Sequence, residues 1–106
     1  MIDEASLDKA LGFLAATDER SAKLKSLVAE TEYLAKLSEQ KFFLTAEGSV
    51  DQRKATAKMN QECQDAWGKH FKAIVDYERV RAKRERAVLT VDLYRTMSAN
   101  RRVGNI

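Results

Sequence analysis

Apolar residues recur along this chain at alternating spacings of four and three. In the C-terminal half, positions 59, 66, 73, 80, 87 and 94 read Met, Ala, Ala, Val, Ala and Tyr, and positions 63, 70, 77, 84 and 91 read Cys, His, Tyr, Arg and Val. A stripe of that kind over five heptads is a coiled-coil seam. Trp67, Ile74 and Val88 widen it on one side, and the pattern predicts a helix from about Val50 to about Ser98. In the N-terminal half, positions 7, 14, 21, 28, 35 and 42 read Leu, Leu, Ser, Val, Ala and Phe, and positions 10, 17, 24, 31, 38 and 45 read Ala, Thr, Leu, Thr, Ser and Thr, with Leu27 and Leu34 on the flank. This predicts a helix from about Ser6 to about Glu47. The stretch "ATDER" would allow an N-cap at Thr17 followed by two acids, but the stripe runs through it and a continuous helix is expected.

Between the two stripes lies "TAEGSVDQ". Gly48 suits the left-handed conformation that ends a helix, and Ser49 with Gln52 forms the Ser-x-x-Gln pattern of a capping box. So short a connection folds the second helix back on the first. The expected architecture is all-α: a long antiparallel helical hairpin, or coiled coil, forming one domain over residues 1–106. Its parts are a helix over about 6–47, a turn at about 48–49, a helix over about 50–98 and a flexible basic tail at 99–106. Gly68 inside the second helix costs about 1 kcal/mol against Ala, so either a close crossing or kink requires it or a long helix tolerates it.

Helices of roughly 60–75 Å, at 1.5 Å per residue, cannot surround a core alone. Trp67, Phe71, Phe42, Phe43 and Tyr33 do not all fit one two-helix seam. Self-association into a homodimer or higher oligomer, closing a helical bundle, is therefore expected. Met59, Trp67, His70, Phe71, Ile74, Tyr77, Val80, Arg84 and Val91 are the candidate interface and core positions. Arg84 is the odd member, a cation on the seam that needs a carboxylate from the first helix or from a partner.

Composition supports the class. Proline is absent, there are four glycines, and 33% of residues are charged, as in long helices. A single cysteine, Cys63, points to a reducing compartment, and no apolar run is long enough for a membrane span. The start "MIDEASLDKALGFLAAT" lacks the cationic opening of a signal peptide. A cytoplasmic protein without membrane partners is expected.

Charge changes the picture more. Residues 1–68 carry nine Lys and Arg against twelve Asp and Glu, and residues 69–106 carry ten against four, giving −3 and +6 within the overall +3. The basic excess peaks in "ERVRAKRERAV", with Arg79, Arg81, Lys83, Arg84 and Arg86 in eight positions. Arg79, Lys83 and Arg86 fall at i, i+4 and i+7 on one helical face. Two readings stand side by side. Glu78 and Glu85 within reach of Arg81 suggest a solvated, partly neutralised face, whereas a free cationic row would bind nucleic-acid backbone through counterion release. Arg95, Arg101 and Arg102 extend the candidate nucleic-acid set. No aromatic platform accompanies the row and no helix-turn-helix is visible, so such binding would discriminate little between sequences.

Candidate chemistry is otherwise sparse. Cys63 and His70 are two helical turns apart, roughly 10 Å, too far to share a metal within one chain. His70 reads as a packed core histidine, with a metal at a dimer axis as the alternative. No nucleophile–base pattern or glycine-rich phosphate loop appears, so neither catalysis nor a cofactor is expected.

The block "RAKRERAVLTVDLYRTMSANRR", residues 81–102, resembles the C-terminal part of small helical proteins of tailed bacteriophages and prophages, which carry a similar Arg-rich run, an aromatic-Arg pair and an Asn-Arg-Arg-like ending. The resemblance implies a phage origin, a bacterial host cytoplasm and an accessory role near replication or recombination, and it assigns no catalytic residue. The leading expectation is a non-enzymatic, oligomeric accessory protein that contacts DNA or RNA backbone. The alternative is a structural or adaptor coiled coil whose partner is another phage or host protein.

Overall fold

The computed structural model describes residues 2–104. Among them are three helices and no strand: α1 (Glu4–Thr45), α2 (Val50–Met59) and α3 (Gln61–Gly104). The chain is all-α, and its helices pair antiparallel. No helix among the described residues is long and apolar enough to cross a membrane.

Local chemistry sets the helix ends. At the start of α1 the Asp3 carboxylate accepts the Ser6 N–H at 2.8 Å, a bond that also holds this carboxyl below its ordinary pKa. Helix α1 is unbroken through Thr17. The Thr17 hydroxyl donates to the Phe13 carbonyl one turn back at 2.7 Å, and so serves inside the helix instead of capping a new one. After α1, Gly48 takes φ +108°, and Ser49 caps α2 with both arms of the capping box closed. The Gln52 N–H donates to Ser49 Oγ at 3.2 Å, and the Ser49 N–H donates to Gln52 Oε1 at 2.9 Å. Arg53 ties the turn to α1: its Nε donates to the Phe43 carbonyl at 3.1 Å and its guanidinium lies 4.4 Å over the Phe43 ring.

Two element boundaries correct the sequence reading. The second helix is not continuous from Val50, because Asn60 is extended (φ −67°, ψ 133°) and separates α2 from α3. Its side chain accepts the Glu62 N–H at 2.8 Å and the Cys63 N–H at 3.4 Å, the work of an N-cap. At the other end α3 runs to Gly104, so residues 99–104, expected as a flexible tail, are helical. The last two residues of that tail, 105 and 106, lie outside the described residues.

Packing divides the chain into two compact units, one of residues up to Ala22 with those from Glu78 onward, the other Lys23–Tyr77. In the first, Ala10, Ala87 and Val91 are buried, with Leu7, Phe13 and Leu14 packed against them, and Val80 is buried as well. Arg84 is half-buried and turned toward α1. Its guanidinium donates to the Leu14 carbonyl at 2.8 Å, to Thr17 Oγ1 at 2.7 Å and to Asp18 at 3.1 Å.

In the second unit the buried residues are Ala35, Ala57, Cys63, His70 and Ala73. Each polar one has a partner. The Cys63 sulfur lies 3.3 Å from Ser38 Oγ, and His70 Nδ1 lies 3.1 Å from Thr31 Oγ1. The Thr31 hydroxyl also reaches the Leu27 carbonyl at 2.8 Å and the Val28 carbonyl at 3.1 Å. Trp67 is half-buried at the seam edge, where its indole N–H donates to Glu39 at 2.6 Å and its ring meets His70 at 5.6 Å, edge-on. Ile74 and Tyr77 are half-buried too. Two candidate core positions are not in the chain's own core. Met59 is 76% exposed, because the register at the end of α2 is not carried across Asn60. Phe71 is exposed one position off the seam, its ring tilted beside that of Trp67 with centroids 6.0 Å apart.

Gly48 and Gly68 behave in opposite ways. A Cβ on Gly48 would run into the Gln52 side chain and force an L residue into a left-handed backbone. Gly48→Ala should therefore lower stability by about 1–2 kcal/mol, read as a lower urea midpoint at fixed chain concentration. Nothing lies within 4 Å of a Cβ built on Gly68, which removes the close-crossing explanation for it. Gly68→Ala should raise stability by about 1 kcal/mol in the same assay, and a loss there would mean that the site is packed.

Candidate nucleic-acid interface

The five clustered cations of residues 79–86 divide by what they touch. Arg81 is neutralised on its own helix, its Nε 2.9 Å from Glu78 and its Nη1 3.2 Å from Glu85. Arg84 is turned inward to α1. Arg79, Lys83 and Arg86 remain, all exposed and on one face of α3. Glu78 and Glu85 neutralise Arg81 and leave this row uncompensated.

The antiparallel pairing adds a residue that spacing on one helix cannot supply. Lys83 and Arg86 line an open groove together with Lys9 of α1, and the groove also holds Ser6, Phe13 and Thr90. No carboxylate among the described residues pairs with Lys9, Lys83 or Arg86. The floor is apolar, since Phe13 packs on the Ala10, Ala87 and Val91 cluster. Arg20 lies seven residues past Phe13, two turns further along the same edge of α1, and it is exposed. Arg79 to Arg86 covers about 10 Å of helix axis, a length that spans about three successive phosphates of a duplex strand at 3.4 Å each.

The other candidates are not part of this groove. Arg95 is nine residues past Arg86, half a revolution round the helix, and Arg102 shares its face two turns on. Arg101 returns to the azimuth of Lys83, but about five turns away. The six cations named from sequence thus form a compact set of three, Arg79, Lys83 and Arg86, with three others placed elsewhere on α3. Lys9 was missed because its membership depends on the register between helices.

The remaining candidate ligands are occupied. His70 and Cys63 hold Thr31 and Ser38 as described. Glu32, near His70, is held below the ordinary carboxylate range mainly by the hydrogen bond from Lys36, its partner at 3.0 Å, and then by that residue's charge.

Arg84 and the groove should separate by mutation. Asp18 is 81% exposed, so the ion pair contributes little, while the bonds to Leu14 and Thr17 need the branched guanidinium. Arg84→Lys should cost about 1–2 kcal/mol in denaturant unfolding and leave the affinity for a DNA oligonucleotide unchanged.

No family model matches this chain, nor does any curated protein or solved structure.

Proposed function

We propose that this chain is a non-enzymatic accessory protein that binds nucleic-acid backbone through the groove lined by Lys9, Lys83 and Arg86, with Arg79 and Arg20 beside it. The observation that carries the reading is the convergence of three uncompensated cations from two helices on one open groove. Long helices commonly neutralise exposed cations with acids one turn away, as Arg81 does here. A row left free beside such pairing is a concentrated positive potential, and a polyphosphate gains by displacing its own counterions onto it. One aromatic ring at the groove floor offers no ladder for stacked bases, so the contacts are to phosphates and sequence matters little. The resemblance of residues 81–102 to phage proteins supports a setting in the bacterial host cytoplasm, close to replication or recombination.

The test is a titration of labelled single- and double-stranded oligonucleotides over a range of salt. Replacing Lys9, Lys83 and Arg86 together with Gln should weaken binding at low salt. It should also flatten the slope of log K against log salt by about 2–3, since each phosphate contact contributes about 0.7–0.9. A charge-matched control with Lys54, Arg95 and Arg102 changed to Gln should keep most of the binding. Absence of any complex at low salt, or equal losses in the two variants, would overturn the proposal in favour of a coiled-coil adaptor for another protein.

A further inference from the structure

Helix α1 carries a second apolar stripe that its own chain does not cover. The first stripe, Val28, Thr31, Ala35, Ser38 and Phe42, is buried or half-buried within the Lys23–Tyr77 unit. Displaced by one residue, about 100° round the helix, runs Leu27, Glu30, Leu34, Leu37, Lys41 and Leu44. Its spacing of three and four is again that of a coiled-coil seam. All four leucines are exposed, from 40% at Leu27 to 71% at Leu44. A stripe of leucines at seam spacing is a surface for another helix.

The order of residues selects that helix. Read backwards from the point midway between Leu34 and Leu37, the stripe matches itself: Leu27 corresponds to Leu44, Leu34 to Leu37 and Glu30 to Lys41. We propose that this stripe is a homodimer interface in which α1 packs antiparallel against α1 of a second copy across a two-fold axis between Leu34 and Leu37. In that arrangement Leu27 meets the partner's Leu44, Leu34 meets the partner's Leu37, and Glu30 meets the partner's Lys41, each contact occurring twice. A parallel pairing would set Glu30 against Glu30 and Lys41 against Lys41, so the charges select the antiparallel form.

The neighbouring edge of α3 agrees independently. A groove holds Thr31, Leu34 and Ser38 together with Glu62, Asp65 and Lys69, so these α3 charges flank the same face. The contacts Thr31–His70 and Ser38–Cys63 fix the register between helices. By that register the proposed axis passes α3 beside Asp65 and Ala66, with Glu62 on one side of it and Lys69 on the other. The two-fold brings Glu62 level with the partner's Lys69, again opposite in sign. Within the chain neither Glu30 nor Lys69 has an ion-pair partner among the described residues. Lys41 has only Glu62, at 3.7 Å with both side chains exposed.

Sedimentation equilibrium of the full chain over a range of concentration tests this. Wild type should fit a monomer–dimer equilibrium. Leu34→Glu, at an exposed position, should raise the dissociation constant at least tenfold while circular dichroism still reports the helical fold. Glu30→Lys and Lys41→Glu should each weaken the dimer several-fold, and the double exchange E30K/K41E should recover most of the loss. A monomer at every concentration, a trimer, or single exchanges whose effects simply add in the double variant would overturn the proposal.

Discussion

The fold depends on two helices meeting through small side chains. Among the described residues the buried ones are Ala10, Ala35, Ala57, Ala73 and Ala87, with Cys63, His70, Val80 and Val91. Not one is a leucine, isoleucine or phenylalanine. Alanine at the contact lets helix axes approach closely, and close approach leaves no room for larger groups between them. Large apolar side chains are consequently displaced to the seam edges, where they stay half-covered or exposed. The polar seam members turn this close contact into a fixed register. His70 has its Thr31 and Cys63 its Ser38 only in one alignment of α1 with α3, and a slip of one turn would strand buried polar atoms.

That constraint also explains what the sequence allowed to be read. Heptad positions are legible whatever their size, so both seams follow from spacing, from Leu7 to Phe42 on α1 and from Cys63 to Tyr94 on α3. The turn was legible as well, because Gly48 and Ser49 act through chemistry local to a few residues. The break at Asn60 was less visible. Its signal is one side chain capping two amides, and it sits inside a stripe whose apolar spacing continues through Met59. Burial was harder still. Spacing puts His70 on the seam, where it is buried, but it also drew in Phe71 beside the seam, which is exposed. That outcome follows from the closeness of the helices.

The cationic groove shows the same division between local and non-local information. Pairs at i+3 and i+4 belong to one helix, so the neutralisation of Arg81 by Glu78 and Glu85 could be read from spacing alone. The inward turn of Arg84 and the arrival of Lys9 beside Arg86 depend on which residues of α1 lie opposite α3. Of the five clustered cations two are consumed by the fold, one on each account. The composition overstates the basic face of α3, and the pairing between helices restores part of it from α1. Charge counts along a sequence therefore describe a potential partner surface only after internal pairings are removed.

A helix with two seams one residue apart has more than one neighbour to satisfy. The inner seam of α1 in the Lys23–Tyr77 unit, Val28, Thr31, Ala35, Ser38 and Phe42, is mostly small or polar and takes the helix of its own chain. The outer seam is built from leucines and has no such neighbour. Leucines alone would favour any apolar helix in either direction, since the hydrophobic effect has no orientation. Glu30 and Lys41 remove that freedom. Placed symmetrically about the centre of the stripe and opposite in sign, they reward only a copy that runs the other way, and they oppose a parallel one at both ends. Exposed ion pairs add little affinity by themselves, so their contribution is to direction and alignment, while the leucines supply the association. The same separation holds inside the chain, where alanines permit the contact between α1 and α3 and the Thr31–His70 and Ser38–Cys63 pairs fix where it is made.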